Sequence, residues 1–273
     1  MKTCLIIWSR DRACQVEALV DSMWLNDLHD VPMDIFILYS YSNEEYAEGY
    51  EKLRHRLRGY EDIFDKGHLG LVKKIGDGKQ QALDIIRDYK YFSISTDDNI
   101  MFAPLPVSFE ELMDDVFCFS MRLGFNTVVQ NHFADTFQPG ITSKPFEHER
   151  HTIKWNFRDH NPHDNYGYPM SLDFHFFHTK VMMGMMKSID FDKPSNLEAG
   201  LVPFAQSVPN PYMRSFKHSV VVNVPITNMT GATQSTGVSL VDLNTTFLEG
   251  KTLRFDEEQI VGCHQNLNWN LVG

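Results

Sequence analysis

The sequence predicts an α/β fold with a mainly parallel, Rossmann-like central sheet, helices on both faces and a mixed C-terminal half. Two observations in the first hundred residues predict it. Short apolar β-type runs alternate with segments of helical period, and the runs end in polar turns. Such alternation builds parallel strands joined by helical crossovers. The length of 273 residues and the 42% hydrophobic content allow a sizeable core. No internal repeat and no Gly/Ser/Pro linker divides the chain, so a single domain over 1–273 is expected. Residues 1–100 carry the regular alternation and 101–273 the more mixed half.

Each element has its own reason. Cys4–Trp8 is an apolar strand run, closed by Ser9-Arg10-Asp11-Arg12. Val16, Leu19, Val20, Met23 and Trp24 follow at helical spacing and predict one inward face. Asp34–Tyr39 reads as a second strand ending at Ser40. Asn43 is placed to cap a helix with Glu44 and Glu45 in its first turn and Ala47, Tyr50, Leu53 and Leu57 inward. Gly78–Tyr89 carries another helical stripe. Tyr91–Thr96 is a strand that runs into Asp97-Asp98-Asn99. In such sheets ligands gather at the carboxyl ends of strands. Ser9, Arg10, Asp11, Ser40 and Asp97-Asp98-Asn99 are expected to converge there.

The second half is less periodic. Ser108–Glu111 matches a capping box, and Val116–Met121 and Ser219–Ile226 read as strands. Residues 131–168, rich in His, Asn, Pro and aromatics, read as a functional loop or flap. Thr179 is expected to cap a Met-rich helix with Val181, Met182, Met185, Met186 and Ile189 facing inward.

Charge and cysteine usage narrow the function. The formal net charge is −11 and no Lys/Arg-rich block is present, which argues against nucleic acid as a partner. Cys4, Cys14, Cys118 and Cys263 form no CxxC pair and read as buried reduced thiols. No run is long enough for a membrane span or a signal peptide. A cytoplasmic location, with room for peripheral membrane attachment, is expected, and the sequons at Asn228 and Asn244 are read as unused. No GxxxxGK[ST] is present, and the first turn lacks the glycine that a nucleotidyltransferase phosphate loop would need.

Two adjacent carboxylates after a buried strand repel each other unless a cation is near. Hard oxygen donors at such a place suit Mg²⁺ or Mn²⁺ shared with a diphosphate, although Asp and Asn are also ordinary turn residues. On this stretch, YFSISTDDNIMFAPLP, the chain resembles the DxD region of GT-A nucleotide-sugar glycosyltransferases, family-2-like bacterial sugar transferases in particular. The segments Met121–Asn126, Tyr168–Thr179 (YPMSLDFHFFHT), Phe191–Glu198 and Leu243–Phe255 resemble motifs of the same group, so the likeness covers nearly the whole chain. Phe174 stands where the group has glycine, and Asn99 where some members have a third carboxylate.

The resemblance implies a metal-dependent transfer of a hexosyl or pentosyl unit from a nucleotide-diphosphate sugar, UDP-sugar favoured, to a hydroxyl of a glycan or glycoconjugate. It places Asp97 at the ribose or metal shell, and Asp98, with His264 and Asn99, at Mn²⁺ or Mg²⁺. It makes residues 1–100 the nucleotide-binding half and 101–273 the acceptor-binding half. Arg10, Asp11 and Lys79 go to the nucleotide, beside Ser9 and Ser40. Asp173, Arg122, Asn126, Trp155 and His175 go to the sugar or acceptor. Glu198 matches the general base of inverting members, with Asp173 in reserve. Plainer readings stand beside these. Lys79 can be a solvated first-turn residue, His175 and His178 partly buried members of an aromatic run, and Glu198 the N3 residue of a capping box, Ser195–Glu198. A nucleotidyltransferase, or a non-catalytic nucleotide- or carbohydrate-binding protein on the same scaffold, remains the alternative function.

Overall fold

In the computed structural model of the chain, Thr3–Arg10 (β1) is the hub of a nine-stranded sheet. The structure describes residues 2–61, 66–108, 110–131, 136–137, 146–226, 238–256, 259–265 and 267–273. Met33–Ser40 (β2) and Leu69–Lys73 (β3) extend the sheet in parallel on one side, and Tyr91–Thr96 (β4) pairs in parallel on the other. The crossovers are the helices Ala13–Leu25 (α1), Glu44–Glu61 (α2) and Lys79–Ile86 (α3). β3 was not foreseen. LGLVK is short, contains a glycine and is only partly buried at an edge of the sheet, so it carries little apolar signal.

Asn99–Met101 (β5) follows β4 directly. Beyond it lie Cys118–Ser120 (β6), Val129–Asn131 (β7), Thr136–Phe137 (β8), Glu147–His148 (β9), Thr152–Asn156 (β10), His175–His178 (β11), Tyr212–Phe216 (β12), Val221–Asn223 (β13), Thr252–Phe255 (β14) and Trp269–Val272 (β15). The order of the large sheet is β3-β2-β1-β4-β11-β6-β12-β10-β9. β11 runs antiparallel to both β4 and β6, so the sheet is parallel at its core and mixed beyond it. The two halves of the chain thus share one sheet.

Alternation along β1 sorts two cores. Leu5 and Ile7 pack with α1, α2 and Leu240–Leu248 (α6) on one face. Cys4, Ile6 and Trp8 pack on the other with α3, Thr179–Ser188 (α4) and Pro194–Leu201 (α5). Asn43 caps α2 by accepting from Tyr46 N at 3.1 Å. Gly78, with φ +77°, turns the chain into α3 where a Cβ would come within 3.0 Å of Trp8 and Lys74.

Several local expectations change. Residues 152–156, read as part of an irregular flap, form a strand of the main sheet, and Trp155 on it is 1% exposed. Thr179 is the first residue of α4 rather than its cap, and Val181 faces solvent at 39% exposure while Met182 and Met186 are buried. Trp24 is likewise exposed at the end of α1. Ser195 is not a cap: Lys193 holds that place and Pro194 opens α5, which removes the capping-box explanation of Glu198. All four cysteines are buried and unpaired. Asn244 is buried and donates to Glu45 O at 3.0 Å, and Asn228 lies outside the described residues. No described helix is long and apolar enough to cross a membrane.

Candidate active site

The chain leaves β1 through a sharp turn. Asp11 adopts the left-handed region, φ 60°, which Asp tolerates better than most residues. Its carboxylate accepts from Ser42 N at 2.7 Å and its own N–H donates to Ser40 O at 3.2 Å, so the ends of β1 and β2 are stitched together. Arg10 is thereby turned outward, exposed, with its Nε 3.5 Å from Asp11 Oδ2. Arg12 is turned in and buried, its Nη1 3.1 Å from Asp97 Oδ1 and 3.8 Å from Asp98 Oδ2.

Asp97 is fully committed. Its other oxygen accepts from Ser9 Oγ at 2.6 Å. Because the one Ser9 hydrogen goes there, Tyr50 OH is the donor in the 2.6 Å contact with Ser9. Burial pushes the Asp97 carboxyl up to about 6, against the opposing pull of Arg12. Two of the predicted nucleotide contacts, Ser9 and Asp97, therefore serve each other and Arg12, whereas Asp98 has one oxygen without a hydrogen bond from a described residue. Asp98 Oδ1 accepts from Asn223 Nδ2 at 2.9 Å and from the Thr96 hydroxyl, and no hydrogen bond from a described residue reaches Oδ2.

Asp173 comes from the turn before β11. Arg122 Nη1 donates to its Oδ2 at 2.9 Å, and Thr96 Oγ1 and Asn99 Nδ2 approach its Oδ1 at 3.0 and 3.1 Å. Burial, the largest single effect, favours the protonated form, but Arg122 and these hydrogen bonds together outweigh it, and Asp173 is held below the usual carboxylate range. The next residue, Phe174, is wholly buried with φ 48°. A bulky side chain in that region is strained by about 1–2 kcal/mol. The glycine expected by resemblance is thus a real backbone requirement here, met instead by Phe at a cost.

Arg122 is itself buried, with Nη2 on Ser171 Oγ at 2.7 Å and Nη1 3.2 Å from His264 Nε2. A guanidinium donates only, so His264 Nε2 accepts, and its Nδ1–H donates to Asn223 Oδ1 at 3.0 Å. Burial and Arg122 lower the His264 imidazole to about 4, so it is neutral near pH 7.

Glu198 reaches the cluster from α5. Its Oε2 accepts from Leu172 N at 3.1 Å, next to Asp173, and the Tyr168 hydroxyl bonds the same carboxyl. Burial, then the charge of Asp173, raises its proton affinity.

Other predicted residues are placed differently. Asn99 is fully buried and turned toward Ser95, Thr96 and Asp173, acting as a donor within the scaffold. Asn126 clamps Ser219 and Ile260 O. Trp155 donates to Tyr166 O at 2.8 Å inside the core, away from any acceptor surface. His175 is buried, with Nδ1 3.1 Å from Asp173 O, and burial lowers it to about 3. Lys79 bonds Asp190 and Lys187 O, each at 3.2 Å, tying α3 to α4 and making none of its described contacts with the acidic cluster. A cavity of about 650 Å³ between α3 and α4 lies by Tyr89, Lys90 and His178, at the opposite end of β4 from this cluster. Arg12, Thr96, Tyr168 and Asn223 join the site without having been singled out.

Among the described residues no group of three His, Cys, Asp or Glu side chains gathers closely enough to cage a metal. Magnesium-type sites need less, because one or two carboxylates and the substrate phosphates suffice. Two features fit that kind of site. Asp98 Oδ2 accepts no hydrogen bond from a described residue, though Arg12 Nη1 lies 3.8 Å away, and one Thr96 hydroxyl lies against both Asp98 and Asp173. A hydroxyl has a single hydrogen, so one of these two contacts goes unshielded by it, and the nearest cations, Arg12 and Arg122, sit on the other oxygens, Asp98 Oδ2 and Asp173 Oδ2. Neither His264, whose lone pair is spent on Arg122, nor the inward-turned Asn99 fits as a ligand.

No sequence family and no curated protein matches the chain. Solved structures do resemble it in fold. Against S. aureus TarS 1-349 in complex with UDP the TM-score is 0.50 at 10% identity, covering 82% of this chain and 61% of that one. The mannosyltransferase PcManGT from Pyrobaculum calidifontis, in complex with GDP-Man and Mn²⁺, gives 0.44 at 11%, covering 84% and 58%. A UDP-glucose pyrophosphorylase complexed with UDP-glucose gives 0.44 at 10%, covering 91% and 99%. The fold is GT-A-like, and the chain spans about three fifths of the first two of these chains.

Proposed function

We propose that the chain moves a sugar from a nucleotide-diphosphate sugar, a UDP-sugar in the first instance, to a hydroxyl of a glycan or glycoconjugate. The observation that carries this is the cluster at the carboxyl end of β4, where the Thr96 hydroxyl lies against both Asp98 and Asp173, and where Asp173 in turn raises the proton affinity of Glu198.

The two carboxylates beside the donor have different work. Asp173 is held ionised by Arg122, and a carboxylate of low proton affinity is a poor base. Glu198 is the better base because burial and Asp173 both favour its taking a proton. The Leu172 N–H fixes Oε2, which keeps the carboxyl in place as the acceptor hydroxyl attacks the anomeric carbon. The proton passes from that hydroxyl to Glu198 while the bond to the diphosphate breaks, a single displacement with inversion. Asp98 would hold Mg²⁺ or Mn²⁺ jointly with the donor phosphates, supplying positive charge to the leaving diphosphate. Arg12 and Arg122 neutralise Asp97 and Asp173, so the site does not repel an anionic donor as three bare carboxylates would.

Turnover of labelled UDP-sugars by wild type, Asp98→Ala and Glu198→Gln tests the reading. Loss of transfer in both variants supports it, whereas equal transfer in all three removes both roles. The anomeric proton of the product, read by NMR, must show inversion, and retention would take the base role from Glu198. A chain that binds the nucleotide but releases no sugar with any acceptor would be the non-catalytic binder.

A further inference from the structure

Six side chains from five separate segments close a ring around the open edge of Asp98. The Asn223 amide donates to Asp98 Oδ1 at 2.9 Å. His264 Nδ1 donates to Asn223 Oδ1 at 3.0 Å. Arg122 Nη1 donates to His264 Nε2 at 3.2 Å and to Asp173 Oδ2 at 2.9 Å. Thr96 Oγ1, lying against both Asp173 and Asp98, completes the circuit.

Every orientation in this ring is forced in turn. Arg122 has no lone pair, so Nε2 of His264 must be bare and Nδ1 must carry the hydrogen. Asn223 must then present its oxygen to His264, which aims its NH₂ at Asp98. The backbone gives Asn223 no freedom to do otherwise. It pairs with Asn99 across β5 and β13, its N–H donates to Cys263 O at 2.9 Å, and its carbonyl accepts from Gln265 N at 3.0 Å. The neighbouring Val224 N donates to Asp98 O at 2.6 Å, so the same strand holds Asp98 by main chain and by side chain.

We propose that Asn223 is the positioning residue of Asp98 and that His264 is a tautomer-locked strut behind it, acting through Asn223 and not as a metal ligand. This rests on the reading of Asp98 as the carboxylate that faces the donor diphosphate. Asn223 and Thr96 occupy Oδ1, which leaves Oδ2, with the Arg12 guanidinium 3.8 Å away, as the one fixed oxygen for a cation and a diphosphate to meet. Partners that orient a ligating group in this way are worth about 10–100-fold in metal affinity or activity.

The test uses the full chain and three substitutions, Asn223→Ala, His264→Ala and His264→Asn. An asparagine places an amide N–H close to the position of Nδ1–H and nothing at Nε2. Three quantities are read: imidazole ¹⁵N shifts, Mn²⁺ affinity by electron paramagnetic resonance with UDP present, and donor KM against kcat. Comparing the spectra of wild type and His264→Ala assigns the His264 signals. The expected result is a neutral Nδ1–H imidazole in wild type. Asn223→Ala and His264→Ala should each weaken Mn²⁺ about 10–100-fold, chiefly through KM for the donor, and His264→Asn should return to within about threefold of wild type. An Nε2–H imidazole overturns the proposal, as does full affinity in Asn223→Ala. So does a His264→Asn variant as weak as His264→Ala, because a direct Nε2 ligand would be lost equally in both. A wild-type chain that binds no Mn²⁺ removes the metal reading of Asp98, and the imidazole spectrum then still decides the strut.

Discussion

Replacing Arg122 by Met keeps most of the apolar stem and removes the charge. Arg122 and Asp173 are 4% and 15% exposed, and their contact of 2.9 Å is supported by Ser171 and His264. Thr96 and Asn99 remain as neutral donors to Asp173 in the variant. Breaking a buried pair by removing one partner costs about 3–5 kcal/mol, because the other charge stays uncompensated. With an unfolding entropy of about 0.6 kcal/mol per kelvin for 273 residues, Tm falls by about 5–9 °C at pH 7. The pH dependence has a definite sign. In wild type the folded Asp173 is lowered, so its stabilisation is present above the unfolded value of about 3.9 and is lost as pH falls through the folded one. In Arg122→Met burial is opposed only by the neutral donors Thr96 and Asn99, the carboxyl is raised, and protonation removes the buried charge as pH falls. The deficit is therefore largest near pH 8 and shrinks toward pH 5. Denaturant unfolding of both proteins at pH 5, 7 and 8 measures it. A deficit below about 1 kcal/mol at pH 7, or one that grows as pH falls, would refute the ion pair as the reason Asp173 is ionised.

Three further outcomes are expected. Phe174→Gly and Phe174→Ala both lose the buried phenyl, a cost of about 3–5 kcal/mol, but the glycine variant should be the more stable of the two by about 1 kcal/mol. Denaturant titration showing the alanine variant equal or better would remove the strain at φ 48°. Glu198→Gln should lower kcat by at least about 10²-fold with donor KM changed little, and should abolish the acidic limb of the rate profile. That limb arises because Glu198 is raised by burial and by Asp173, so the base is lost as pH falls through its value. His175→Phe should flatten acid denaturation. His175 is depressed to about 3 against about 6.5 unfolded, so the unfolded chain takes up its proton first and wild type loses stability across that window as pH falls. Scanning calorimetry at pH 4, 5 and 7 reads the difference, and parallel curves would contradict it.

The first half of the fold was legible because two periods alternate cleanly. The stripe at Val16, Leu19, Val20 and Met23 and the run Tyr91–Thr96 each bury what the spacing said they would. β3 escaped because an edge strand of five residues needs little apolar density. Trp155 was misplaced for a related reason. Its neighbourhood has no period, since its strand is short and its face is filled by residues of the irregular flanking stretches, Phe146 and Tyr166. Within the site, the acidic residues could be found from type and position, but their pairing could not. Arg10 and Arg12 are equivalent in the sequence, and only the left-handed turn at Asp11 decides which points inward. Asn223 is an ordinary strand residue until His264, 41 positions later, lies against it. The inward turn of Asn99 likewise follows from contacts with Thr96 and Asp173, the latter 74 residues away.

The central claim is that Asp98 meets a nucleotide-diphosphate sugar through a divalent cation at the end of β4. Calorimetric titration of UDP, GDP and the other nucleoside diphosphates, with and without Mn²⁺, into wild type and Asp98→Ala tests it most directly. Saturable binding of at least one nucleotide that requires Mn²⁺ in wild type and is lost in Asp98→Ala is the predicted result. Binding that ignores Mn²⁺ and is equal in both proteins, or no binding of any nucleotide, would contradict it.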